Sequence, residues 1–311
     1  MHYQTKLILR ETFSNLGTFI YNLFYFARRS QWDNDYAELR NLVLSLPGEV
    51  KQMYAEECAY LEKMPLENIN QIMFPYPHVK NGDNDGLVIA KEKGCWYVLH
   101  NGAAKLFFPY RSATSLYPGL VYNEGLLGTG LLAKSPHCYQ DDDFKIEPGD
   151  ILLDVGCAEA ILALDNIDKV AKAYLFECAT EWRKPLRRTF APYKDKVVFV
   201  DKMVSDKTKD NSTTLIDVVR SDISRSQTFF VKMDIEGGER TVLNGNSEFF
   251  KTAKVKLSCC VYHRQDDAQV IEAKLKEMGY KTRFSKGYML PTINGIHYPY
   301  FRRGVIYAQN Y

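Results

Sequence analysis

Asp150-Ile-Leu-Leu-Asp154-Val-Gly156-Cys-Ala-Glu159-Ala, a helix-like run, and then Lys172-Ala-Tyr-Leu-Phe-Glu177 form the stretch that decides the fold. A short apolar run ends in an acid and a glycine. A second apolar run ends in another acid, 23 residues after Asp154. This is the pattern of a β-α-β unit with a carboxylate at the tip of each strand. Ligands of open parallel sheets sit at the carboxyl ends of the strands. An acid at the second tip suits the two hydroxyls of a ribose, so an adenosine-type cofactor is expected.

Gly156 allows a tight strand-to-helix turn and close approach of backbone to ligand. A dinucleotide fingerprint needs Gly-x-Gly-x-x-Gly. Here Ala158 and Ile161 occupy the later glycine positions. A smaller, partly cationic ligand such as S-adenosylmethionine fits better than a diphosphate, with Asp154 favouring its positive end. Glu177 is expected on the ribose. Asp201 ends the third strand and is expected beside the base, with Met203 against the ring. The neighbours Cys157, Ala158, Glu159, Cys178 and Lys202 are expected to complete the cofactor wall.

Working outward, apolar and helical segments alternate from Asp150 to the end. Strands are expected at 151–155, 172–177, 197–201, 228–233, 255–262, 281–289 and 303–309. Helices are expected at 159–169, 180–191, 213–220, 238–250 and 267–278. Five β-α units with an antiparallel ending describe a seven-stranded, doubly wound α/β sheet. Upstream, Leu87–Ala90 and Trp96–Leu99 flank Lys93-Gly94 as a hairpin, and Leu106-Phe-Phe adds a strand. Residues 109–139, rich in Gly, Ser and Tyr, read as a loop with short helices. Residues 1 to about 70 read as helical, with Pro47 inside the stretch from Tyr36 to Leu61. Phe13, Leu16, Phe19, Ile20, Leu23, Phe24 and Ala27 share one helical face ahead of Arg28-Arg29. That face suits packing on its own domain, on a second copy in a homodimer, or on a membrane surface.

Phe229-Phe-Val-Lys232-Met-Asp234-Ile-Glu236-Gly237-Gly238-Glu239 carries the second cluster of chemistry. Asp234 and Glu236, one residue apart at a strand end, can orient a hydroxyl, accept its proton or hold a metal. His263 ends the next strand at the same edge, and histidine is the usual general base near neutral pH. Asp234, Glu236 and His263 are therefore the candidate catalytic residues. No spacing demands a metal, and none is expected.

Composition bounds the rest. The 311 residues carry a net charge of +2, which gives no polyanion signal and no indication of nucleic acid. No stretch approaches the roughly 20 apolar residues of a spanning helix. The first residues lack the order of a secretory signal. The seven cysteines are odd in number and show no CxxC, so a reducing, cytoplasmic setting is expected.

Together these motifs resemble the FkbM family of S-adenosylmethionine-dependent methyltransferases. The resemblance rests on Ser135-Pro-His-Cys-Tyr139, Gly149–Gly156, Tyr174–Cys178, Val204-Ser-Asp206, Val231–Gly237 and Val261-Tyr-His263-Arg264. It covers about residues 116–311, leaving 1–115 as a helical and β-hairpin extension. It implies the class I methyltransferase fold, Rossmann-like with the last strand antiparallel. It also implies O-methylation of a carbohydrate hydroxyl, within a surface polysaccharide or its nucleotide-sugar precursor. Cofactor contacts would fall on Asp154, Gly156, Glu177 and Asp201. His137 and Tyr139 become candidates for the acceptor wall. Ala160 stands where the family has glycine, and its Cβ is expected to crowd the methionine tail. Glu159 stands where asparagine is common. Two rivals share the β-α-β unit: a nicotinamide-dependent oxidoreductase, and a non-catalytic module that binds an adenosyl ligand or a partner.

Overall fold

The computed structural model describes residues 34–65, 72–77, 79, 86–110, 115–129, 135–224, 226–292 and 295–311. The Phe13–Ala27 face, with the membrane and dimer roles attached to it, lies outside the described residues.

The apolar runs become the centre of one sheet. Its strands are β4 (Ile151–Val155), β5 (Lys172–Phe176), β6 (Val197–Val200), β9 (Thr228–Met233), β10 (Lys254–Cys260), β11 (Lys281–Phe284) and β12 (Val305–Gln309). They lie in the order β11-β12-β10-β9-β4-β5-β6. All neighbours pair in parallel except β12, which runs antiparallel to both β10 and β11. This is the doubly wound class I methyltransferase sheet expected from the sequence. Burial on both faces explains why β4 reads as an unbroken apolar run instead of an alternating one. Leu152 joins the core on one face, while Ile151, Leu153 and Val155 join the core on the other. The chain winds from β4 outward to β6, then returns to β9 on the opposite side of β4. The switch point, and the crevice it opens, therefore lies between the carboxyl ends of β4 and β9.

The hairpin forms as read. β1 (Ile89–Glu92) and β2 (Cys95–His100) pair across Lys93 and Gly94, whose φ values are 42° and 73°. Positive φ at both central residues is the two-residue turn that matches strand twist. β3 (Ala104–Phe108) completes this small sheet, and Phe107 N donates to Thr189 Oγ1 on the helix Arg183–Thr189. The helix Ala55–Lys63, which follows the helix Gly48–Met53, buries Cys58 and Leu61 with Leu290 and Phe301. Tyr54 stacks on Phe301 at 4.0 Å.

Three expectations need correction. Residues 109–139 were read as loop with short helices, but a 14-residue helix, Leu116–Thr129, runs through them. Its glycines serve close packing instead of turning the chain. A Cβ on Gly125 would overlap Glu159, and one on Gly128 would overlap the Tyr139 ring. The helix expected at 159–169 spans only Ile161–Asn166, because Ala158 and Ala160 hold left-handed φ values of 45° and 60°. The helix expected at 238–250 is two, Glu239–Gly245 and Ser247–Thr252. They are divided at Asn246, whose buried amide bonds to Leu215 N, Ser205 O and Val242 O.

Candidate active site

The turn after β4 is built on backbone contacts. Gly156 N and Cys157 N both donate to Phe176 O, and Asp234 N donates to Val155 O. At φ 74°, Gly156 lies so close to the Asp234 carbonyl that any Cβ would overlap it. Beside it, Glu177 accepts from Ala158 N at 3.1 Å and from Ala179 N at 2.8 Å. Both carboxylate oxygens are thus aimed by backbone. A carboxylate offers about four lone-pair sites, so a ribose can still be received.

These residues open onto a cavity of about 660 Å³. That is within the usual range for small-ligand sites. Asp154, Gly156, Cys157, Ala158 and Glu159 line it, as do Glu177, Cys178 and Lys202. His137, Tyr139, Asp234 and Glu236 line it too, so the cofactor candidates and the acceptor candidates share one cavity.

Two of the candidates lie elsewhere. Asp201 is not on the cavity wall; its carboxylate lies 2.7 Å from Arg187 Nη2 and 3.4 Å from Arg183 Nε. Two guanidiniums one helical turn apart hold it, while the next residues, Lys202 and Met203, reach the wall. His263 is also off the wall, its side chain 1% exposed. Its Nε2 is 3.5 Å from Asp234 Oδ1 and its Nδ1 is 3.2 Å from Glu239 Oε1. It stands behind Asp234, in ion-pair reach of that carboxylate and of Glu239. Ala160 likewise does not line the cavity and is 1% exposed within the core. Its methyl packs in the core, and its departure from glycine is felt as a left-handed backbone.

Asp234 is the hub of the acceptor side. Tyr139 Oη donates to its Oδ2 at 2.7 Å, and His137 Nε2 lies 3.2 Å from the same oxygen. Burial raises the Asp234 carboxyl. The His137 hydrogen bond and the charges of His137, Lys232 and His263 outweigh that and hold it well below the usual carboxylate range. Burial pushes His263 down, but Glu239, Asp234 and Glu236 more than offset it and leave it above its ordinary value. Burial and Asp234 drive the Tyr139 phenol well above its ordinary value, so it remains a donor. Glu236 is held at φ 56°, with its side chain 85% exposed at the mouth.

Lys232, inside β9, has a role that its sequence motif does not announce. Its Nζ lies 3.3 Å from Asp154 Oδ1 and donates to Gly156 O at 2.5 Å. Burial pulls the ammonium down, yet Asp154 and Asp234 hold it above the ordinary lysine range, so it is a cation. The signal was available: a lysine inside a buried apolar strand is rare unless paired. Glu124 of the helix Leu116–Thr129 was also missed, because its segment read as loop.

Donor atoms of Asp234, Glu239 and His263 lie within 4.8 Å of one another, as do those of His137, Asp234 and Cys260. In both groups the histidine already stands in ion-pair reach of the carboxylate, an arrangement that needs no cation.

Residues 170–282 match the model of the Methyltransferase FkbM domain. The match takes in Glu177, Asp234, Glu236 and His263 and bears out the resemblance seen in the motifs. It begins after the Asp154–Ala160 turn. Among solved structures, the methyltransferase FkbM of Methylobacillus flagellatus KT is 20% identical, with a TM-score of 0.41. The alignment covers 53% of this chain and 44% of that one, so the chain spans less than half of that relative's length. Precorrin-6y C5,15-methyltransferase of Geobacter metallireducens GS-15 is 12% identical at a TM-score of 0.36, over 54% of this chain and 83% of that one. No curated protein matches the chain in sequence. Among the described residues, no helix is long and apolar enough to cross a membrane.

Proposed function

We propose that the protein is an S-adenosylmethionine-dependent O-methyltransferase acting on a carbohydrate hydroxyl. The observation that carries this reading is a single cavity lined by both sets of groups: Asp154 and Glu177 at the tips of adjacent parallel strands, and the Asp234–Tyr139–His137 cluster. The FkbM domain match supports methyl transfer over hydride transfer. The carbohydrate acceptor rests on the family resemblance and on a wall of hydroxyl-binding groups.

The residues fit the cofactor. Glu177 presents backbone-fixed oxygens, Gly156 keeps the turn clear of side chain, and Asp154 is held in place by Lys232. When bound, S-adenosylmethionine supplies an electrophilic methyl on a sulfonium. Asp234 accepts the acceptor hydroxyl and orients its oxygen, with Tyr139 fixing the carboxylate. The proton passes along that hydrogen bond to Asp234 and on to neutral His137, whose Nε2 lies 3.2 Å from the carboxylate. His263 tunes Asp234 from behind. Positioning of the hydroxyl supplies much of the rate.

The division into residues 1–115 and 116–311 belongs to this reading, with the first part supporting the acceptor side. So does a cytoplasmic site of action, since none of the seven cysteines is in a disulfide. Thermal stability with S-adenosylmethionine, S-adenosylhomocysteine and NAD tests the proposal. A ligand at 100 times its dissociation constant stabilises by about 2.7 kcal/mol. A shift with both adenosyl ligands and none with NAD is expected. A shift with NAD alone would assign an oxidoreductase, and none with any ligand would leave a non-catalytic module.

A further inference from the structure

We propose that the acceptor side of the cavity selects an uncharged or amine-bearing acceptor and turns away phosphorylated and carboxylated ones. This rests on the methyltransferase reading above and narrows it, setting a free or lipid-borne neutral glycan ahead of a nucleotide sugar.

The whole chain has a net charge of +2, so nothing in its composition announces an acidic site. The cavity is nevertheless lined by six carboxyls, those of Glu124, Asp154, Glu159, Glu177, Asp234 and Glu236, against two lysines. Neither lysine serves the acceptor. Lys232 is committed to Asp154 and to the Gly156 carbonyl. Lys202 follows β6 on the cofactor side. On the acceptor side stand Asp234, Glu124 and Glu236, with His137 and Tyr139 already bonded to Asp234. Among the described residues no lysine or arginine lines that wall. Phosphates and carboxylates are recognised by such cations, most strongly by bidentate arginine.

Glu124 shows that the acids sense one another. Its side chain is exposed at the cavity; the protein crowded around the carboxyl raises it, His137 opposes, and Asp234 and Glu236 raise it further. A cleft of one sign with low-dielectric walls focuses its field on whatever enters.

Matched thiol reagents of opposite charge test this without knowledge of the acceptor. Val121 lines the cavity one helical turn from Glu124. Val121→Cys is treated with trimethylammonium-ethyl and sulfonato-ethyl methanethiosulfonates, and labelling at that peptide is timed by mass spectrometry. Rates are normalised to those of a small free thiol. The cationic reagent is expected to react about 10-fold faster at low salt. That ratio should fall toward one in Glu124→Gln/Glu236→Gln and at high salt. A ratio near one, an inverted ratio, or no response to the double substitution overturns the proposal. If Val121→Cys does not fold, the natural Cys178, exposed on the same cavity, gives the reading. Thermal shift with S-adenosylhomocysteine is run beside it. Cation preference without that shift defeats the methyltransferase reading alone, and the shift without cation preference defeats only this inference.

Discussion

Tyr139 donates its phenolic hydrogen to Asp234 Oδ2 across 2.7 Å, and both side chains line the same cavity. The phenol is held well above its ordinary range by burial and by Asp234, so it donates throughout the working pH range. Tyr139→Phe keeps the ring that packs against Gly128 and removes only the donor. A hydrogen bond to a charged group contributes about 1.5–3 kcal/mol. Turnover should fall about 10- to 100-fold while binding of S-adenosylhomocysteine is kept. Losing a donor also raises the Asp234 carboxyl, so the acid limb of kcat/KM should move to higher pH. An unchanged pH–rate profile would remove Asp234 from proton handling.

Lys232 and Asp154 form an ion pair whose side chains are 7% and 1% exposed. Removing one partner of a buried pair leaves an uncompensated charge, at a cost of about 3–5 kcal/mol. Lys232→Met should lower the urea midpoint accordingly. Lys232→Met with Asp154→Asn should recover most of that loss, because the stranded charge is gone. A double variant no more stable than the single one would show that Lys232 acts through Gly156 O instead.

The sheet was legible because its strands are apolar runs ended by acids and glycines, and the register of β4 against β5 and β9 follows from them. The cavity residues at strand tips were legible for the same reason. Residues whose role depends on a neighbour distant in sequence were not. Asp201 sits at a strand tip, as expected, but Arg183 and Arg187 on another element hold it off the wall. His263 follows its strand, three residues beyond Cys260, but Glu239 draws it inward. Gly125 and Gly128 look like loop glycines until the Glu159 and Tyr139 side chains are seen against them. The direction of the Ala160 methyl, into the core, required the backbone dihedral.

Gly156 and Ala160 share a left-handed backbone, with φ of 74° and 60°, but differ in the space around them. A Cβ at Gly156 would overlap the Asp234 carbonyl, which the β4–β9 ladder holds in place. Gly156→Ala combines the left-handed penalty of about 1–2 kcal/mol with the cost of that overlap. It should destabilise by about 2–5 kcal/mol and abolish S-adenosylhomocysteine binding. Ala160→Gly relieves the same penalty but loses a buried methyl worth about 0.8 kcal/mol and adds unfolded-chain entropy. These terms nearly cancel, so its stability should stay within about 1 kcal/mol of the natural protein. Calorimetry on the two variants checks both; a large loss at Ala160→Gly would mean its methyl is a packing anchor.

Glu159 makes stability depend on pH. Burial pushes its carboxyl up to about 8, with Glu124 and Asp154 adding to the rise and its own backbone and Lys232 opposing it. The folded protein therefore binds this proton more tightly than the unfolded chain does, whose value is near 4.5. The contribution is full below that value and is lost as pH rises toward about 8. Its slope cannot exceed about 1.4 kcal/mol per pH unit. Asp234, held low, acts in the opposite sense and only below its ordinary 3.8. His263, held above 6.5, adds a loss in the same direction as Glu159, but only from that pH upward. Glu124, Asp154 and Asp150, also held above their ordinary values, lose stability in the same direction and are common to both proteins when Glu159→Gln is compared with the natural one between about pH 5 and 6.5. The natural protein should lose stability across that interval more steeply than the variant in chemical denaturation. Parallel curves would mean that Glu159 is ionised in the folded protein, and the cavity would then hold one more negative charge than its buried geometry favours.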